Sequence, residues 1–368
     1  MADLLVLQRR ELLLRELRAT GAVHVAELAV RHGVSPGTIR RDLTELAREG
    51  RVIKTRGGAV LPRRNVDGRP PSAEGGAGAA PAQDLDPRTL GLLVPSATYY
   101  YPSVIDGVRS VAARHRARVV IALSRYADPR DLEQVDELLA SGASGLLIAS
   151  SGGTHVTDAL VDRLHATGVP FVLLERRTDD HHEACESVVS DHRRGAFGAV
   201  RHLHRLGHSR VGLYAYPSPT APLIRDGHAA AVRQLRLDPA APVREGHRHP
   251  PGSRAAARQY DAFIEDCLAS GTGAALVHSD QDAIVLLQRL RARGLRTPQD
   301  MALIAYDNEL AALAEVPLTA VAPPKEQLGA CAAQLLVDRL GEPGGGAVRS
   351  VTMQPRLVIR QSCGSAQH

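Results

Sequence analysis

Tryptophan is absent from this 368-residue chain, phenylalanine occurs three times and cysteine four times. The cysteines, Cys185, Cys267, Cys331 and Cys363, lie far apart with no C-x-x-C spacing. That excludes the usual patterns of a disulfide framework, a redox pair or a cysteine metal site, and they read as bystanders. Apolar runs of about 18 residues are missing, so no membrane-spanning helix is expected. Asp3 precedes the first apolar stretch and Arg9 and Arg10 follow it, the reverse of a secretory signal, which predicts a cytoplasmic location. Nucleophile elbows, phosphate loops and metal sets are also lacking, so neither catalysis nor a cofactor is expected.

Length and charge organise what is present. The chain is too long for one ordinary domain and suits a small module joined to a larger one of two lobes. Residues 1–64 carry a net charge of +6 and the remainder −1. Positive charge confined to one end is the footprint of a module that meets a phosphate backbone. Between Pro62 and Pro87 the chain is rich in Pro, Gly and Ala and nearly free of bulky apolar residues, so it cannot form a core. The expected division is 1–61, a linker at 62–87, and 88–363.

Beyond the linker, apolar runs begin near residues 91, 118, 145, 171, 210, 274 and 301, and helical stretches lie between them. The helices are expected at Ser103 to His115, Arg130 to Ala140, Arg193 to Leu206, Ser253 to Ala269, Gln281 to Arg293 and Lys325 to Leu340. This alternation predicts an α/β fold of two doubly wound lobes.

The basic end reads as a winged helix-turn-helix. Helices are predicted over Leu4 to Ala19 and Val25 to His32. A third, from Pro36 to about Glu49, is capped by Ser35. On it Ile39, Leu43 and Leu46 share the inward face, while Gly37, Arg41, Thr44 and Arg48 point outward and Thr38 and Arg40 flank them. That face suits the major groove. Arg40 and Arg41 can meet phosphate or guanine, and Thr38 or Ser35 can reach a phosphate from the helix N-terminus. RVIKTRGGAVL then reads as a two-stranded wing bearing Lys54 and Arg56.

The stretch from Arg9 to Val60, with VS-x-x-TIRRDL at its centre and GGA in the wing, resembles the N-terminal domain of the DeoR family of bacterial regulators. The part from about Arg88 to Cys363 resembles the effector domain of the LacI/GalR family, itself similar to periplasmic sugar-binding proteins. GLLVPSATYYYPSVIDGV, GLLIASS, VPFVLLERR, VVSDHRRGAFGAVRHLHRLGHSRVGLY, HSDQDA, AYDN and PLTAV carry that likeness in order. The combination is a swap of DNA readers, so the LacI hinge-helix mechanism is not implied.

The second resemblance implies one lobe of about 88–189 plus 322–345, another of about 190–321 plus 346–363, and a ligand between them, at the carboxyl ends of the strands. A sugar requires carboxylates and amides for its hydroxyls and an aromatic platform for its apolar face. The resemblance offers Tyr100 and Tyr101 as the platform, Glu175 and Arg176 after the fourth strand, Ser279, and Asp307 as the residue aimed into the cleft. Asp280 is expected as a helix N-cap. Two positions depart from the family: Ile224 stands where a ligand arginine is usual, with Arg225 one place on, and Pro323 replaces a glutamine. The histidines at 181, 182, 202, 204 and 208 read as surface residues, and no metal is expected.

Together these readings predict a homodimeric transcriptional regulator that binds operator DNA and responds to a small molecule, with repression relieved by a sugar. Two alternatives stay open: a constitutive DNA-binding protein whose cleft is degenerate or takes a protein, and a sugar-acting enzyme using Glu175 and Asp307 as a carboxylate pair.

Overall fold

The computed structural model describes residues 9–15, 17, 22–25, 28–29, 34–49, 51–55, 58–60, 88–126, 129–247, 249, 253–342 and 346–365. The expected linker lies outside them. At the N-terminal end, residues 9–15 and 17 are helical, and Leu13, Leu14 and Leu17 are buried with Leu28, Ile39, Leu43, Leu46 and Val52. Helix α1 (Pro36–Arg48) begins where the Ser35 hydroxyl accepts the Thr38 amide at 3.1 Å. The wing pairs β2 (Ile53–Thr55) antiparallel with β3 (Gly58–Val60). A third strand, β1 (Ala22–His24), pairs with β3 on its other edge; three residues were too short a run to see in the sequence.

Two six-stranded sheets make up the rest. The first contains β4 (Thr89–Val94), β5 (Arg118–Leu123), β6 (Gly145–Ile148), β7 (Phe171–Leu174) and β8 (Glu186–Ser190), all parallel. Along β4 successive residues face opposite layers: Leu90, Leu92 and Val94 join one core and Leu93 the other. Helices α2 (Tyr101–Arg114) and α9 (Lys325–Gly341) cover the first face, and α3 (Asp131–Ala140) and α4 (Asp158–Ala166) the second. A sheet covered on both sides requires near-continuous apolar strands, which is why β4 and β6 are wholly buried.

The second sheet contains β9 (Gly212–Ala215), β10 (Val243–Glu245), β11 (Ala274–His278), β12 (Ala302–Tyr306) and β13 (Thr319–Ala322) in parallel, closed by antiparallel β15 (Arg356–Val358). Helices α5 (His192–Arg205) and α6 (Ala221–Gln234) cover one face, and α7 (Arg254–Ala269) and α8 (Asp280–Ala292) the other. The chain crosses between sheets after β8, after β13 and before β15.

One expected boundary needs correction. Strand β14 (Ser350–Met353) falls in the stretch assigned to the second lobe but pairs in parallel with β8 of the first sheet. The returning chain satisfies the open amide edge of β8 before it crosses. β8 itself escaped the sequence reading because ESVVS carries a charge; Arg339 meets the buried Glu186 at 2.9 Å.

α2 and α9 touch through glycines. A Cβ on Gly107 would lie 2.0 Å from the Glu326 carbonyl oxygen, and one on Gly329 2.1 Å from that of Val104. Backbone cannot yield as a flexible side chain does. Gly107→Ala therefore lowers stability by about 1–3 kcal/mol, and an unchanged thermal midpoint would show that the helices separate freely.

Candidate ligand cleft and DNA-binding surface

On α1, Arg40, Arg41 and Arg48 are exposed together with Gly37 and Ser35, and Thr38 and Thr44 are half-buried. Arg40 and Arg41 make no ion pair among the described residues, whereas Arg48 meets Glu45 at 3.0 Å. The Thr44 hydroxyl donates to the Arg40 carbonyl at 2.7 Å. Lys54 falls on β2 opposite Ala59, and Arg56 lies outside the described residues. The sequence reading missed Asp42. It is buried, and Arg9 and Arg10 donate to it at 2.5 and 3.3 Å, tying the first helix to α1.

A cavity of about 840 Å³ lies between the lobes. Tyr100, Tyr101, Glu175, Arg176, Ser279 and Asp307 all border it, as do Tyr99, His278 and, from the N-terminal module, Arg9, Leu12 and Val34. That module also touches the second lobe directly: Arg15 pairs with Glu309, and its Nη2 donates to the Glu309 carbonyl at 3.0 Å.

Tyr99 is the bridge across the cleft. From the loop after β4, its hydroxyl contacts Asp280 at 2.6 Å and Asp307 at 3.0 Å on the opposite lobe. Burial, then the charges of Asp280 and Asp307, push its pKa well above the ordinary value, so it remains a donor. Asp280 is fully buried, and its pKa is raised to about 6 by burial and by Asp307, against the hydrogen bonds from Tyr99 and Leu310. It accepts the Leu310 and Ala311 amides at 2.6 and 3.0 Å. The N-cap expected at Asp280 is Ser279 instead, and the Ser279 hydroxyl contacts Asp282 at 2.8 Å. Lys325, at the start of α9, reaches Glu309 at 2.7 Å and the Asp307 carbonyl. Burial lowers its pKa to about 8.

Other expected ligand residues are already occupied. Tyr100 donates to Glu175 at 2.5 Å, and the Lys325 ammonium sits 4.9 Å from its ring centre. Tyr101 is 3% exposed and packs in the first-lobe core. Arg225 is corrected outright: it is absent from the cavity wall and pairs with Glu245. Ile224 takes the inward position in the core, and one residue further turns a helical side chain by about 100°.

Unpartnered polar atoms remain at Arg176 and His278. Arg176 gives Nε to the Ser150 carbonyl at 3.0 Å, and its buried Nη2 has no hydrogen-bond partner. Nδ1 of His278 is likewise buried and unpartnered. Burial lowers the His278 pKa despite Asp307, which favours the neutral ring.

Glu175 is a heavily hydrogen-bonded carboxylate of the cleft. It accepts from the Ser190 amide at 2.8 Å, the Ser190 hydroxyl at 2.7 Å and Tyr100, and lies 3.4 Å from His192. Burial would raise its pKa, but the His192 charge and these hydrogen bonds prevail and lower it to about 2. A carboxylate depressed in the fold stabilises above its unfolded pKa and loses that contribution as pH falls through the folded one. Glu175→Gln should therefore cost about 3 kcal/mol near neutrality, with the deficit shrinking as pH falls from about 4.5 towards 2. Denaturant unfolding of both proteins across that range measures it; a deficit independent of pH would contradict the assignment.

With this geometry in place, comparison with known proteins is informative. Residues 9–65 match the DeoR-like helix-turn-helix domain, and residues 200–363 the periplasmic binding protein-like domain. The chain joins these two domain types. The arabinose metabolism transcriptional repressor of Geobacillus stearothermophilus is 24% identical over 91% of this chain and 89% of its own. The transcriptional regulator MalR of Streptomyces coelicolor is 28% identical over 93% and 97%. Among solved structures, a complex of the transcriptional regulator CelR with cellobiose superposes with a TM-score of 0.61 at 23% identity, over 91% of this chain and 94% of that one. The relatives that span most of this two-domain chain are thus named as transcriptional regulators. Among the described residues no helix is long and apolar enough to cross a membrane.

Proposed function

We propose that this regulator binds a roughly palindromic operator as a homodimer and represses genes of carbohydrate uptake or breakdown until a sugar enters the cleft. The observation that carries the reading is the pairing of an exposed Arg40–Arg41 helix face with an interlobe cavity whose wall presents a carboxylate at Asp307 and unpartnered nitrogens at Arg176 and His278. Sugar hydroxyls both donate and accept, which suits that set. The sugars and sugar pathways named for its relatives support the ligand class. Tyr99 couples the two lobes, so a ligand that displaces or reinforces its bonds to Asp280 and Asp307 shifts lobe closure.

The geometry argues against a glycosidase. Such a pair needs one carboxyl kept protonated as the acid. The other must be free to reach the sugar, whereas both Glu175 oxygens already accept hydrogen bonds from Tyr100 and Ser190, so a sugar incubated with the chain should be recovered unchanged.

Binding of the purified chain to its own upstream DNA, with and without a panel of sugars, tests the proposal. Specific binding released by one sugar is the expected result. Absence of specific binding would refute it, and binding indifferent to every sugar would leave a constitutive regulator.

A further inference from the structure

A second polar cluster lies outside the ligand cavity. The loop after β7 contains His181 and His182, which the sequence marks as surface residues without assigning them a carboxylate partner. The fold supplies one from another element: Asp158, the first residue of α4. Nε2 of His181 lies 3.3 Å from Asp158 Oδ1, and Nε2 of His182 lies 3.0 Å from the same oxygen. One donor atom from each of the three residues falls within 4.8 Å of the other two. Metal–nitrogen and metal–oxygen bonds of about 2.0–2.2 Å in a tetrahedral site place neighbouring donors roughly 3.3 Å apart. Two of the three separations therefore already have the length that a shared zinc-like ion sets.

The loops that carry these donors are held together by backbone. The Val156 amide donates to the Arg177 carbonyl at 2.9 Å, and the Arg177 amide to the Thr154 carbonyl at 3.1 Å. A turn closed by the His182 amide on the Asp179 carbonyl at 3.1 Å presents the two rings. Asp158 and His181 are exposed, which leaves an approach for an ion and room for water at a fourth position.

We propose that Asp158, His181 and His182 bind one divalent cation of the imidazole-preferring class, with Zn²⁺ the representative ion. Two neutral imidazoles and a carboxylate give a singly negative ligand set, and the ion ties the loop after β7 to the N-terminus of α4. Arg176, which borders the cleft, lies on the same loop five residues before His181, so the site braces one wall of the cleft without using a cleft residue.

The test uses the full chain freed of any tag and treated with a chelator, titrated with ZnCl₂ by calorimetry and followed by thermal unfolding. The parent should take up one more equivalent than His181→Gln/His182→Gln, and Zn²⁺ should raise its midpoint but not the variant's. His181 is 61% exposed, so His181→Gln alone keeps the fold if the double variant does not, and should weaken that equivalent. Equal stoichiometry and equal shifts in parent and variants, or no Zn²⁺ uptake by the parent, would overturn the site.

Discussion

Replacing Arg40 and Arg41 together with alanine should lower operator affinity by about 2–6 kcal/mol, because each arginine that meets a base edge in both hydrogen bonds contributes roughly 1–3 kcal/mol. Both side chains are exposed on α1 and make no ion pair among the described residues, so the variant should unfold at the parent's temperature. Fluorescence anisotropy over a series of salt concentrations separates their roles. Loss of phosphate contacts flattens the salt dependence by about one unit of slope per arginine. Loss of guanine contacts leaves the slope and relaxes preference at particular base pairs. Parental affinity at every salt concentration would remove α1 from the groove.

Asp307→Ala should weaken the effector by about 3–6 kcal/mol, the loss of two hydrogen bonds to a charged group at roughly 1.5–3 kcal/mol each. Asp307 borders the cavity, and its Oδ2 is shared with Tyr99 while Oδ1 has no hydrogen bond among the described residues. The Tyr99 hydroxyl keeps Asp280 after the substitution, so the link between lobes persists. Operator binding without sugar should therefore match the parent, while release requires far more sugar. Calorimetry with the sugar found active measures the first effect and operator titration the second. Undiminished sugar affinity would place the ligand elsewhere.

The DNA-binding module was readable because its signals are local. Ser35 and Pro36 mark the start of α1, and Ile39, Leu43 and Leu46 repeat at helical spacing, so one short window contains the cap, the buried face and the exposed face. The strands of the two large sheets were readable where they are apolar throughout, as at β4 and β6. β8 and β14 were not, since their polar residues are satisfied by partners far along the chain. Expected cleft residues fared unevenly for the same reason. A position after a strand can be named from the chain, but which way Arg225 turns depends on Ile224 filling the core.

By itself, then, the sequence determined the order of domains, the basic winged module, the doubly wound α/β lobes and the strand ends that border the cleft, because each rests on periodicity, capping or charge within a few turns of chain. Tertiary structure alone decided the pairings. Tyr99 meets Asp280 and Asp307 across separations of 181 and 208 residues, Tyr100 meets Glu175 across 75, and His182 meets Asp158 across 24. Contacts over such separations leave no local period in the chain, and they form only when the packing of both sheets brings the loops together.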